Sequence, residues 1–133
     1  ASQALGIARA AIDLMGSHLG SQKDARGRPS ASQPDQWIFA DLAAELDAYR
    51  FLTWRAATLR DRGIHCGVQA AMAKSCTARL ANRAARAAVS ALGLSGASGT
   101  NAAERLLRDA RITEIYEGAT DIQRLVIARG LLA

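Results

Sequence analysis

What this chain has little of is the first guide to it. Two prolines among 133 residues leave room for long uninterrupted helices, because proline inside a helix removes a hydrogen bond and clashes with the preceding turn. No period-2 alternation marks a half-buried strand, and no run of about 18 apolar residues could cross a membrane. The chain does not open on a charged, then apolar, then small-residue leader, so it reads as a soluble, cytoplasmic protein with no membrane partner. Its two cysteines, Cys66 and Cys76, lie in one helical pattern, where ten residues span about 15 Å. A disulfide needs Cα atoms within about 7 Å, so both are read as free thiols, with Cys76 expected to be buried. His18 and His65 form no metal-ligand spacing with them and are assigned surface or helix-end roles, with no metal site. No Gly-rich phosphate loop is present, and no internal repeat.

What is there points to helices. Half of the residues are apolar and alanine is abundant, which suits an all-α protein better than a sheet. The length suits one domain with one sizeable core, residues 1–133. A formal charge of +5 and a pI near 10.0 invite a nucleic-acid reading. The distribution opposes it: Arg50, Arg55, Arg60 and Arg62 share their helix with Asp41, Glu45 and Asp47, and no dense basic run carries interleaved aromatics. These arginines read as solvated faces or ion-pair partners, with attraction of a polyanion as a secondary role.

Ala4, Leu5, Ile7, Ala8, Ala11, Ile12, Met15 and Leu19 recur at helical spacing, so residues 2–20 are expected to form a first helix stopped by Gly20. Ser21–Pro34, with Gly27, Pro29 and Pro34, reads as a long loop. A second helix runs from Pro34 or Asp35 to Arg62 on the stripe Trp37, Ile38, Leu42, Leu46, Tyr49, Leu52, Ala56 and Leu59, with Pro34 tolerated in its first turn. A third, Gly67–Leu92, turns Val68, Ala71, Met72, Ala78, Ala81, Ala85 and Val89 inward. Gly93–Thr100 reads as a turn or loop. Asn101 with Glu104 resembles a capping box for a short helix ending near Ala110, and Thr120 with Gln123 repeats that pattern for a last helix carrying Ile122, Leu125, Val126, Leu131 and Leu132. The expected architecture is an all-α, antiparallel four-helix bundle.

The most informative stretch lies near the C-terminus: Arg108-Asp109, then Ile115-Tyr116-Glu117-Gly118, then Ile122-Gln123-Arg124. It places one carboxylate beside a glycine, in a short break between helical patterns. From the residues alone Glu117 is either a solvent-facing loop residue or a group facing a ligand. The run closely resembles the C-terminal signature of flavin-dependent acyl-CoA dehydrogenases, as do the opening Ala4–Ala11, Ala40-Asp41-Leu42 and Ala70-Ala71-Met72-Ala73-Lys74. The resemblance covers nearly the whole chain but only the last third of the family's usual length. It implies that the N-terminal helical and middle β domains are absent here, and that these residues alone are not catalytic.

In most members of that family the glutamate of this turn removes the α-proton of a CoA thioester while a hydride leaves the β-carbon for FAD. The resemblance therefore casts Glu117 as the base, Tyr116, Glu117 and Gly118 as substrate-binding, and the Glu117 backbone N–H as a stabiliser of the charge that develops. Gly118 would let the backbone come close to flavin and substrate. Tyr116 is equally readable as a packing aromatic, and Arg108, Arg124 and Arg129 as structural ion-pair partners. FAD contacts are implied at Lys23, Arg26, Gln33, Gly93, Gly96, Gly118 and Ala119, the loop after the first helix being one that approaches flavin. Implied partners are the acyl-CoA substrate, an electron-transfer flavoprotein and other subunits of a homo- or hetero-oligomer. Some branches place the base early in, or just before, the first bundle helix.

The pattern departs from the family in two loops and at Ala119. Lys23-Asp24-Ala25-Arg26-Gly27 stands where Arg-x-x-Phe-Gly is usual, so a point charge replaces a two-pronged donor and Arg26 replaces an aromatic platform. Ser90 through Ala97 stands where Gln-x-x-Gly-Gly-x-Gly-aromatic is usual, with Leu94 in place of a glycine, and Ala119 replaces a threonine. Two explanations stay open: a divergent dehydrogenase that grips FAD differently, or a non-catalytic or partner-complementing assembly module of a mixed oligomer.

Overall fold

A computed structural model describes residues 1–133. It consists of α1 (Ser2–Ser21), α2 (Gln33–Asp61), α3 (Gly67–Leu92), α4 (Leu94–Ala97), α5 (Ala102–Ile112) and α6 (Thr120–Leu132). Successive long helices run up and down. Gly16 on α1 meets Phe39 near the start of α2, where an added Cβ would lie 2.8 Å from the ring. Arg83 on α3 reaches back to Glu45 on α2 at 2.7 Å, and Asn82 on α3 bonds Ala110 at the end of α5. Gly130 near the end of α6 lies against Val68 at the start of α3. α5 and α6 together therefore complete an antiparallel four-helix bundle, as the sequence predicts.

The bundle is organised around α3, which packs against every other helix. Its buried side chains include Ala71, Ala73, Ala78, Ala81, Ala84, Ala85 and Ala88. Methyl-sized residues let helix axes come close, so the core is made of short contacts to Ala4, Ala8 and Ala11 of α1, filled out by Met15, Leu42 and Leu80. Side-chain hydrogen bonds cap the starts of α2 and α5. The Ser32 hydroxyl accepts the Asp35 N–H at 3.3 Å, and the Asn101 amide oxygen accepts the Ala103 N–H at 2.9 Å, each satisfying a donor the helix leaves free. None of the helices is long and apolar enough to cross a membrane.

Several expectations change. The Ser21–Pro34 segment is a tight hairpin rather than an open loop, closed by a bridge between Lys23 and Pro29, and α2 begins one residue early, at Gln33. Gly93–Thr100 contains the helical turn α4. Only Leu42, Leu46 and Ala56 of the α2 stripe are buried, while Trp37 and Ile38 lie outside at 63% and 46% exposure. No residue of α6 is buried, so Ile122, Leu125, Val126, Leu131 and Leu132 face outward. Thr120 does not cap α6: its hydroxyl lies toward the Glu114 carbonyl at 3.4 Å, and Gln123 bonds the Gly118 carbonyl at 3.2 Å. Glu104 pairs with Arg108 instead of closing a capping box. Cys76 is half-buried.

The arginines behave as the distribution suggests. Eight ion pairs all use arginine, and seven join residues three or four apart in the chain. Such surface pairs contribute about 0–1 kcal/mol each, so the packing at α3 sets stability. Ala85 has no exposed surface. Ala85→Leu is expected to lower unfolding free energy by about 1–3 kcal/mol, read as a fall in the urea midpoint; an unchanged midpoint would mean that this face of α3 is not close-packed.

Candidate functional site

The site begins with the end of α5. The last carbonyls of a helix have no partner within it, and here side chains of α3 supply two. Asn82 donates to the Ala110 carbonyl at 2.9 Å, which also accepts from the Thr113 hydroxyl at 2.7 Å. Lys74 donates its ammonium to the Thr113 carbonyl at 2.6 Å. The chain then tightens through short bonds, Ile115 N–H and Tyr116 N–H both reaching the Ile112 carbonyl at 3.0 and 3.2 Å.

Glu117 follows with φ 52, the one non-glycine residue at positive φ, and Gly118 with φ 95. A glutamate in the left-handed region costs roughly 1–2 kcal/mol, and the surrounding bonds hold it there. The Thr120 N–H reaches back to the Glu114 carbonyl at 3.1 Å, and Gln123 holds the Gly118 carbonyl. A Cβ on Gly118 would displace that Gln123 amide, and the positive φ favours glycine there. Glu117, Gly118 and Ala119 donate their N–H groups to no other backbone carbonyl.

The Glu117 side chain is exposed and takes part in none of the eight ion pairs. It lines a cavity of about 560 Å³ together with Lys74, Cys66, Arg60, Thr53 and Gln123. That volume lies within the range of small-molecule sites, about 300–1,000 Å³. The cavity sits where the starts of α1 and α3 and the end of α2 meet the α5–α6 turn. Tyr116 is held beside it, its hydroxyl donating to the Gln3 side chain of α1 and its ring lying 5.6 Å from the Lys74 ammonium.

Tyr116, Glu117, Gly118 and Ala119 thus come together. Lys23, Arg26, Gln33, Gly93 and Gly96 do not join them: they lie at the end of the bundle where α1 and α3 finish and α2 starts. The 20 residues of α1 separate the two ends by about 30 Å. At that far end Asp24 organises the hairpin. Its carboxylate accepts the N–H groups of Arg26 and Arg28 at 2.8 and 2.9 Å and the Arg28 guanidinium at 2.8 Å, leaving Lys23 and Arg26 exposed and without a carboxylate partner. Gly93, at φ 60, has open space on its Cβ side. Gly96 is closed in, since a Cβ there would lie 2.8 Å from the Val89 carbonyl. Leu94 is 94% exposed.

Lys74, Gln123, Cys66 and Arg60 were not assigned to the site by sequence reasoning. Lys74 carried a usable signal, being one of only two lysines and ending the Ala70–Lys74 motif. The contact that recruits it spans 39 residues, which no local pattern displays.

The family model for the C-terminal domain of acyl-CoA dehydrogenases matches residues 1–132. The chain is 44% identical over 133 residues to an acyl-CoA dehydrogenase of Bacillus subtilis, covering 99% of this chain and 35% of that protein. It is 46% identical to the mitochondrial short-chain specific acyl-CoA dehydrogenase of Bos taurus, covering 99% and 32%. Its fold matches butyryl-CoA dehydrogenase from Megasphaera elsdenii with a TM-score of 0.90 at 33% identity, over 98% of this chain and 34% of the other. The chain therefore spans about a third of the length of these relatives.

The hairpin gives a pH test. The Arg28 N–H, then its guanidinium, and the Arg26 N–H hold the Asp24 carboxyl below the usual carboxylate range. A depressed folded pKa gives stability that is present above the unfolded value of about 3.9 and lost as pH falls through the lower folded value. A carboxyl-carbon NMR titration is expected to place the Asp24 midpoint below that of a peptide aspartate, with amide exchange at Arg26 and Arg28 quickening below it. A peptide-like midpoint would contradict this account of the hairpin.

Proposed function

This chain belongs to the acyl-CoA dehydrogenase family as its C-terminal domain, and from that premise we propose that the protein containing it desaturates an acyl-CoA between the α and β carbons, with Glu117 as the base. The observation that carries the proposal is the state of the turn. Glu117 presents an unpaired carboxylate to a cavity of ligand size, at a backbone angle that a residue chosen only for a loop would seldom adopt.

The chemistry asks two things of protein groups. The α-proton of a thioester is weakly acidic, so a positioned carboxylate must accept it as the C–H bond breaks, and the charge moving onto the thioester oxygen must be met by hydrogen-bond donors. Glu117 supplies the carboxylate. Its own N–H, unused by any backbone acceptor, supplies a donor, and Gly118, lacking a side chain, leaves that donor accessible. Tyr116, held beside the cavity by Gln3 and Lys74, is assigned to the wall of the acyl site. The cofactor proposed is FAD, which when bound accepts the two electrons that leave with the β-hydrogen.

The residues at the far end fit an anionic, flat cofactor. Lys23 and Arg26 offer two cations without carboxylate partners, Gly93 offers backbone with no Cβ in the way, and Gln33 adds an exposed amide at the start of α2. Because these lie at the opposite end from Glu117, the flavin they grip would be one whose reactive part reaches a different subunit's Glu117. Gly118 and Ala119 would meet the flavin of their own site. Reoxidation is assigned to an electron-transfer flavoprotein. A second reading, an assembly module, draws support from the outward Trp37, Phe51 and Trp54 of α2, each more than half exposed.

Glu117→Gln in the full-length protein separates them. A general base contributes roughly 10²- to 10⁴-fold, so the acyl-CoA dehydrogenation rate is expected to fall by at least about 10²-fold with oligomeric state unchanged on size-exclusion chromatography. Retained turnover would remove Glu117 from the reaction.

A further inference from the structure

We infer that Lys74 is a positioning residue for the Glu117 turn, holding it from α3 by two contacts at once: a charge-assisted hydrogen bond to the Thr113 carbonyl and an ammonium placed over the Tyr116 ring. This inference rests on the reading of Glu117 as the base.

The placement of Lys74 is energetically unusual. Its side chain is half-buried, yet no carboxylate lies within ion-pair distance of it. A partly buried cation without an opposite charge needs other compensation, and the surrounding side chains of α3 are mostly alanine. What compensates the ammonium is the α5–α6 segment itself. The Thr113 carbonyl, one residue past the end of α5, carries the negative end of the helix dipole, where a cation is favoured, and the 2.6 Å bond to it is short, as ion-assisted bonds are. The face of the Tyr116 ring, 5.6 Å away, adds a cation–π contact.

Both anchor points lie on the segment that leads into Glu117. Thr113 begins it, and Tyr116 directly precedes Glu117. The Tyr116 hydroxyl is tied to Gln3 of α1 on the other side, so its ring is held between α1 and α3. With both ends of the Thr113–Tyr116 segment fixed to the bundle, the dihedrals of Glu117 and Gly118 are the freedom left to the turn, and the carboxylate enters the cavity that Lys74 also lines. Loss of the anchor would let the turn relax toward an unstrained geometry and carry the carboxylate away from the substrate carbon. Displacement of a catalytic group by about 1 Å can cost about 10²-fold in rate.

The test uses the full-length flavoprotein, with turnover expressed per bound flavin. Lys74→Met is expected to lower kcat about 10- to 100-fold with KM changed far less, and Lys74→Arg, which keeps a cation and a donor, to recover most of that loss. If Lys74→Met does not fold, Lys74→Gln, with an amide donor and no cation, is read in the same way. An unchanged kcat per flavin overturns the inference, whatever happens to stability or KM, and so does an equal fall in the methionine and arginine variants. Glu117→Gln, assayed in parallel, distinguishes the failures: if it keeps turnover, the base assignment fails, whereas if it is inactive while Lys74→Met is not, only the role of Lys74 fails.

Discussion

The close approach of helices onto α3 is the constraint on which the rest depends. Its buried face is built largely from alanine, so neighbouring helices come near enough for single polar side chains to reach across to backbone. Asn82 does this at Ala110 and Lys74 at Thr113. Larger residues on that face would push α5 away, and both bonds would be lost together. The packing of α3 is thus also what fixes where α5 ends and the Glu117 turn begins.

That turn shows why a strained residue can persist. An isolated glutamate at φ 52 would return to a relaxed region, but here the preceding and following segments are each tied down, by Lys74, Gln3 and Gln123 among others. The cost falls on a side chain that then has no partner of its own. An unpaired carboxylate beside unused N–H groups, in a cavity of ligand size, contributes little to the fold, which supports the role proposed for Glu117.

How far the sequence disclosed this varies by feature. α1 was readable because Ala4, Ala8, Ala11, Met15 and Leu19 mark one face with nothing to contradict it, and Asn101 announced the start of α5 through its local side-chain chemistry. The Glu117 turn was readable as a break between patterns, with the family resemblance supplying a role. Its dihedrals were not, since asparagine and glycine are the residues expected at positive φ. The apolar spacing of α6 suggested an inward face, yet Ile122, Leu125 and Val126 point outward: periodicity shows that a helix has an apolar side, not which surface covers it. The Thr120 and Gln123 spacing fitted a cap, but the turn recruited both side chains to Glu114 and Gly118. Lys74 and Asn82 were illegible for a simpler reason, because their partners are 39 and 28 residues away.

The two ends of the bundle divide the proposed work, with proton abstraction at the α5–α6 turn and cofactor grip at the hairpin and α4. Most substitutions relative to the family pattern fall at the grip end, at Lys23, Arg26, Ser90, Leu94 and Ala97, while the turn carries one, Ala119, and keeps its Glu117-Gly118 pair. The account therefore stands on whether the altered end still holds a working flavin. The direct measurement is the visible spectrum of the full-length protein, purified without added flavin and mixed with an acyl-CoA under anaerobic conditions. The account predicts a flavin spectrum that bleaches on mixing. A protein that is colourless and stays so after FAD is added would contradict it.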